Sequence, residues 1–170
     1  NKVFITNANY ENEVAGGGLF VSFADVSEKS AIVNLKAHVR NLSEKNERVT
    51  VTFNLKNKSG EVVKQVFKKV SVRKGKAGYA VASIGIDSPS LWSPETPYLY
   101  NLDVTVTTDA GTVVDGYRQR VGIRSIEFKQ TKGLWINGKP YDEKLMGTNR
   151  HQDFAVLGNA LPNSMPVSYT

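Results

Sequence analysis

The chain has 170 residues, 40% hydrophobic and 22% charged, with a formal net charge of +6 and no cysteine. This suffices for one packed domain and a remainder. It excludes disulfides and thiolate metal sites, and no apolar run reaches the length of a membrane-spanning helix. The excess charge is local. Residues 134–170 carry Lys139, Lys144 and Arg150 against Asp142, Glu143 and Asp153 and sum to zero, whereas eight basic residues from Lys56 to Lys76 face only Glu61. No aromatic interleaving or nucleic-acid motif accompanies that run, so a solvated strand whose lysines guard a sheet edge is expected, not a nucleic-acid surface.

In chain order, the dominant signal is alternation with period two. In "AIVNLKAHVRN", Ala31, Val33, Leu35, Ala37 and Val39 share one face, and Ile32, Asn34, Lys36, His38 and Arg40 share the other. His38, between two cations, is expected at the surface. In "VTVTFNLK", Val49, Val51, Phe53 and Leu55 alternate with Thr50, Thr52, Asn54 and Lys56. In "YNLDVTVTT", Tyr100, Leu102, Val104 and Val106 alternate with Asn101, Asp103, Thr105 and Thr107. Such runs are half-buried strands. Gly-, Asn- and Pro-containing turns separate them, and no long segment has helical periodicity. About seven strands between Gly18 and Phe128 predict an all-β fold, an immunoglobulin-like antiparallel β-sandwich with a short C-terminal extension. Its expected core includes Val33, Leu35, Val51, Phe53, Leu102, Val104 and Val121.

Pro94 and Pro97 stiffen "LWSPETPYLY" into an extended link. Trp92 within it suits packing at the end of a sandwich better than stacking on a sugar. Asn137-Gly138 is the strongest hairpin signal, because a two-residue turn needs positive φ. Asn41-Leu42-Ser43 and Asn57-Lys58-Ser59 match the glycosylation pattern. "GTNRHQDF", Gly147 to Phe154, gathers Asn149, Arg150, His151, Gln152 and Asp153, the densest run of site-type side chains in the chain.

Four stretches, in order, resemble glycoside hydrolase family 2, the family of the large bacterial β-galactosidases. "LWSPETPYLYNLDVTV" is similar to the segment leading into a late strand of the family's central sandwich. "DGYRQRVGIRSIEF", with Gly122-Ile123-Arg124, resembles the last sandwich strand. "GLWINGKP" resembles the hairpin linking sandwich to barrel, and "GTNRHQDFAVLGNALP" the first barrel strand and its loop. Met146 and Gln152 depart from the arginine and glutamate usual in the family. The resemblance implies a linker from a preceding domain over 1–17, the sandwich over 18–128, and a hairpin with the truncated first strand of an (α/β)₈ barrel over 129–170. It implies a parent enzyme with a jelly-roll domain before and a barrel after, which hydrolyses β-galactosides with retention through two glutamates.

A barrel takes about 250 residues, so this chain is expected to hold no catalytic residue. Asp142 and Glu143, adjacent on a strand, would point to opposite faces. By resemblance, His151 contacts the sugar, and Asn149 and Arg150 shape the strand end beside it. No metal or other cofactor is expected, and no membrane partner. Asn1 at the start points to a processed or excerpted chain, which leaves a secreted or periplasmic origin open. The alternatives are a free-standing immunoglobulin-like carbohydrate-binding or adhesion module, and a basic domain that binds polyanions.

Overall fold

A computed structural model describes residues 1–11 and 17–143. Eleven strands account for it: β1 Val3–Ile5, β2 Leu19–Ala24, β3 Ser30–Asn41, β4 Glu47–Lys56, β5 Val62–Val72, β6 Ala77–Asp87, β7 Tyr100–Thr108, β8 Val113–Val121, β9 Ile126–Phe128, β10 Leu134–Ile136 and β11 Lys139–Pro140. All pairings are antiparallel. One sheet runs β5-β4-β7-β8, and the other is built on β3, with β6 along one edge and β2 and β1 in succession along the other. The two sheets form the immunoglobulin-like sandwich that the alternation predicts.

The core follows from the registers. β3 turns Ala31, Val33, Leu35, Ala37 and Val39 inward, β4 turns Val49, Val51, Phe53 and Leu55, and β7 turns Tyr100, Leu102, Val104 and Val106, all of them buried. Paired strands put directly opposed residues on one face. Thus Phe53 opposite Val104, and Leu55 opposite Leu102, form continuous apolar rows across the sheet. Every expected core residue is buried.

Three details differ from expectation. His38 is 3% exposed rather than at the surface. Its position on the outer face is as the alternation requires, opposite Tyr79 of β6 with the rings 4.8 Å apart. However, β2 and β1 meet end to end along β3 at this residue, and Thr6 and Gly18, just beyond those strands, bond to it. Thr6 N–H donates to the His38 carbonyl, His38 N–H donates to the Gly18 carbonyl, and Thr6 Oγ1 lies 2.8 Å from His38 Nδ1. Alternation says which residues share a face, not whether another segment covers it.

Secondly, part of the stretch expected as a linker is sheet. Val3 and Ile5 are buried in the core cluster. β1 pairs with Val39–Asn41, while Ile5 N–H donates to Asp115 on β8 at 2.7 Å, so this strand joins the two sheets at their edges. Three residues are too few to register as a period. Thirdly, β9 belongs not to the sandwich but to a separate sheet of order β11-β10-β9. The expected boundary at Phe128 therefore cuts through that sheet.

The basic run falls on β5, an edge strand, with Lys64, Lys68 and Lys69 exposed as edge protection predicts. Of the two glycosylation matches, Asn41 is fully buried. Its amide donates to the Val72 and Lys45 carbonyls, which leaves no room for a glycan.

On the outer face of the β5-β4-β7-β8 sheet, Asp103 lies between Arg118, its partner on β8, and Lys56 Nζ at 2.8 Å. The hydrogen bond from Arg118 and the charge of Lys56 hold its carboxyl down to about 2. A depressed carboxyl pKa adds stability above its unfolded value of about 3.9, and that stability is lost as pH falls toward the folded value. The stability difference between the native chain and Asp103→Asn should therefore shrink steadily as pH is lowered from about 4 to about 2. Denaturant titrations at several pH values measure this, and a constant difference would remove the ion pair from the account. Leu102→Ala should cost about 2–5 kcal/mol, read as a lower denaturation midpoint at unchanged slope. An unmoved midpoint would contradict the core assignment.

Candidate functional site

The residues that the sequence nominates, Asn149, Arg150 and His151, lie outside the described residues, as does the rest of "GTNRHQDF". What the structure supplies is the joint from which the chain runs toward them. Three segments meet there: the proline-rich link around Trp92, the Gly122-Ile123-Arg124 stretch after β8, and the β10–β11 hairpin.

The link is held by backbone and ring together. Trp92 N–H donates to the Ile123 carbonyl at 2.8 Å, and Trp92 bridges back to Pro97. The indole lies directly over Gly122. A Cβ at that glycine would stand 2.9 Å from Cβ, Cγ and Cδ1 of Trp92, so no larger residue fits without displacing the ring. The Arg124 guanidinium lies 4.8 Å from the indole centroid and donates to the Gly122 carbonyl at 3.0 Å. Trp92 packs as expected, with its ring engaged by protein.

The hairpin turn is Asn137-Gly138, with φ of 51° and 75°, the doubly positive pair that a tight two-residue turn requires. Asn137 does more than turn the chain. Its side-chain oxygen accepts from Ser125 N–H at 3.0 Å, its side-chain amide donates to the Trp92 carbonyl at 3.0 Å, and its backbone N–H donates to the Ser125 carbonyl. One residue thus ties the hairpin to both other segments. Sequence reasoning found the turn but not this role. The signal available was the choice of Asn over Asp or Gly, since only an amide both donates and accepts.

A groove of about 400 Å³ opens beside the joint, lined among others by Glu28, Leu91, Glu95, Ile136 and Lys139. Lys139 on the hairpin reaches Glu28 on the β2–β3 loop at 2.7 Å, and this hydrogen bond and charge hold the Glu28 carboxyl below its usual range. Glu95 is lowered by its own backbone N–H and by Ser93. Tyr141 is raised by burial and by the charge of Glu95. Both carboxylates are held in the ionised form, which suits the groove to ionic and packing contacts. No cluster of metal-ligand side chains occurs among the described residues.

An antiparallel two-sheet sandwich with an appended three-stranded hairpin sheet defines a class of β-domain, not a chemistry. The sequence pattern of "Glycosyl hydrolases family 2" matches residues 19–124, and the chain belongs to that family. It is 34% identical over 148 residues to a beta-galactosidase of Bacteroides ovatus, covering 87% of this chain and 17% of that protein. It is 30% identical over 146 residues to a beta-glucuronidase of Formosa agariphila, covering 86% of this chain and 15% of that protein. Among solved structures, a beta-glucuronidase of Bacteroides uniformis superposes with a TM-score of 0.80 at 27% identity, over 96% of this chain and 19% of that one. A putative beta-galactosidase of Bacteroides fragilis gives 0.79 at 27% identity, over 96% and 24%. The chain therefore spans well under a quarter of the length of these curated relatives.

Replacing Asn137 with Gly keeps the turn conformation and removes both side-chain hydrogen bonds. It should cost about 1–3 kcal/mol, the penalty for stranding their partners. Asn137→Ala should cost more, because alanine keeps the Cβ that resists positive φ and lacks the polar side chain that offsets it in asparagine. Thermal unfolding followed by tryptophan fluorescence measures both. Equal stability of Asn137→Gly and the native chain would show the joint to be held by other contacts.

Proposed function

We propose that this chain is the sandwich and the lead-in to the barrel of a retaining family 2 glycoside hydrolase that cleaves β-galactosides. The sandwich is a rigid mount and performs no chemistry. The two catalytic glutamates belong to polypeptide beyond these residues. His151 donates a hydrogen bond to the sugar, with Asn149 and Arg150 shaping the strand end beside it.

The observation that carries this reading is the three-way attachment of Asn137. It fixes the direction in which the chain leaves the sandwich, which a mount for a catalytic unit requires. A barrel site sits at the C-terminal ends of its strands, so a strand that starts from a fixed hairpin delivers its last residues to a fixed place. The choice of galactoside rests on the "NRH" run, which resembles β-galactosidases. The sandwich itself is neutral in this choice, because relatives named for galactosides and for glucuronides share it. The two sugars differ in the configuration at C4 and in a carboxylate in place of the C6 hydroxymethyl, so pocket contacts elsewhere in the protein decide between them.

Steady-state kinetics on the full-length protein test the proposal, with an aryl β-galactoside and an aryl β-glucuronide as substrates. The galactoside should be hydrolysed with the higher kcat/KM. His151→Ala should lower kcat by about two to three decades, as loss of a single transition-state donor does elsewhere. Gln152→Ala, on the opposite side of a strand, should lower it less. Preference for the glucuronide would overturn the substrate. Nearly full kcat/KM in His151→Ala would overturn its role.

A further inference from the structure

The β11-β10-β9 sheet has two unlike faces. On one, Trp135 is engaged: the Lys129 ammonium lies 3.8 Å from its ring centroid, and its indole N–H donates to the Lys132 carbonyl at 3.3 Å. The other face carries Ile126 and Ile136, directly opposed, and Phe128 and Leu134, directly opposed. Opposed residues share a face, and residues two apart along a strand share it too. All four positions are apolar, and Lys139 of β11, opposed to Ile136, shares the face beside the turn and pairs there with Glu28. Along β10 the face is covered: Ile136 is buried at the joint and Leu134 is half-buried. Along the edge strand β9 it is bare. Ile126 is 51% exposed and Phe128 is 78% exposed.

Single exposed apolar residues need no explanation, but a row of them on one face of a short sheet marks a contact surface. We propose that this face is the seat of the catalytic unit, and that the polypeptide following Glu143 covers Phe128 and Ile126. The inference rests on the proposed function for the existence of such a unit, not on the sugar it cleaves. Two observations select this occupant. The sheet ends at Pro140, three residues before Glu143, so whatever folds next is tethered beside this face at high effective concentration. The chain also covers only 15–17% of its curated relatives, so most of the protein lies outside it. A partner in trans would compete with a far larger mass of attached polypeptide. The anchoring of the hairpin by Asn137 makes the surface rigid before it is covered, which lowers the ordering cost of the contact.

Phe128 replaced by p-benzoylphenylalanine in the full-length protein tests this. The position is exposed in this domain, so the larger ring is accommodated. Irradiation should cross-link residue 128 within the same chain to a peptide C-terminal to Glu143, at a yield independent of protein concentration. In hydroxyl-radical footprinting of the native full-length protein, Phe128 should be oxidised more slowly than Phe67, which is 61% exposed on β5. A cross-link to residues before Glu143, a cross-link to a second copy that grows with concentration, or no cross-link with Phe128 oxidised at least as fast as Phe67 would each overturn the proposal. The outcome is independent of substrate: an inactive protein that cross-links as described keeps the surface and loses the galactosidase reading.

Discussion

The contact between Trp92 and Gly122 leaves no space for a side chain, and the end of the sandwich is organised round it. The link after β6 must be extended for its indole to reach the strand end, and Pro94 and Pro97 keep it so. With the ring seated, the Trp92 carbonyl faces the hairpin and the Asn137 amide can meet it. Arg124 then closes over the indole from the following residues. Glycine at 122 is a steric requirement here, not a conformational one. The order of dependence runs from a missing Cβ to a ring, from the ring to a carbonyl, and from the carbonyl to the direction of the hairpin.

The opposite end of the economy of contacts is the N-terminal strand. β1 occupies the length of β3 that β2 leaves free, and its backbone also reaches Asp115 on β8. The Asn1 side chain donates to the Val114 carbonyl on the same strand. β8 is an edge strand of its sheet; the Asn1 bond satisfies one of its open backbone carbonyls, while the Asp115 carboxylate takes up the Ile5 N–H of β1. The other edge, β5, is protected by charge instead. One sandwich thus uses both common remedies for exposed strand edges: covering on one side and lysines on the other.

The long strands were legible because burial on a single face writes itself into alternation. β3, β4 and β7 could be read residue by residue, and so could the Asn137-Gly138 turn. What escaped was contact between segments distant in sequence. His38 stands among cations on a polar face, yet Thr6 and Gly18 close over it. Val3 and Ile5 are too few to show a period. The role of Asn137 in tying Trp92 to Ser125 depends on where three loops converge, which no local pattern encodes. Asn149, Arg150 and His151 were nominated by resemblance alone and lie outside the described residues, so no geometry here bears on them.

The division of labour has an energetic logic. A sugar pocket must hold its donors within a fraction of an ångström of the transition-state geometry. A loop cannot do so unless the element it starts from is immobile. In the proposed function the sandwich supplies immobility through a core with Phe53, Leu55, Leu102 and Val104 fully or almost fully buried, and passes it on through Asn137. On the proposed reading, the apolar face of β9 and β10 is where the mount and the unit it carries meet, and its character is constrained by both.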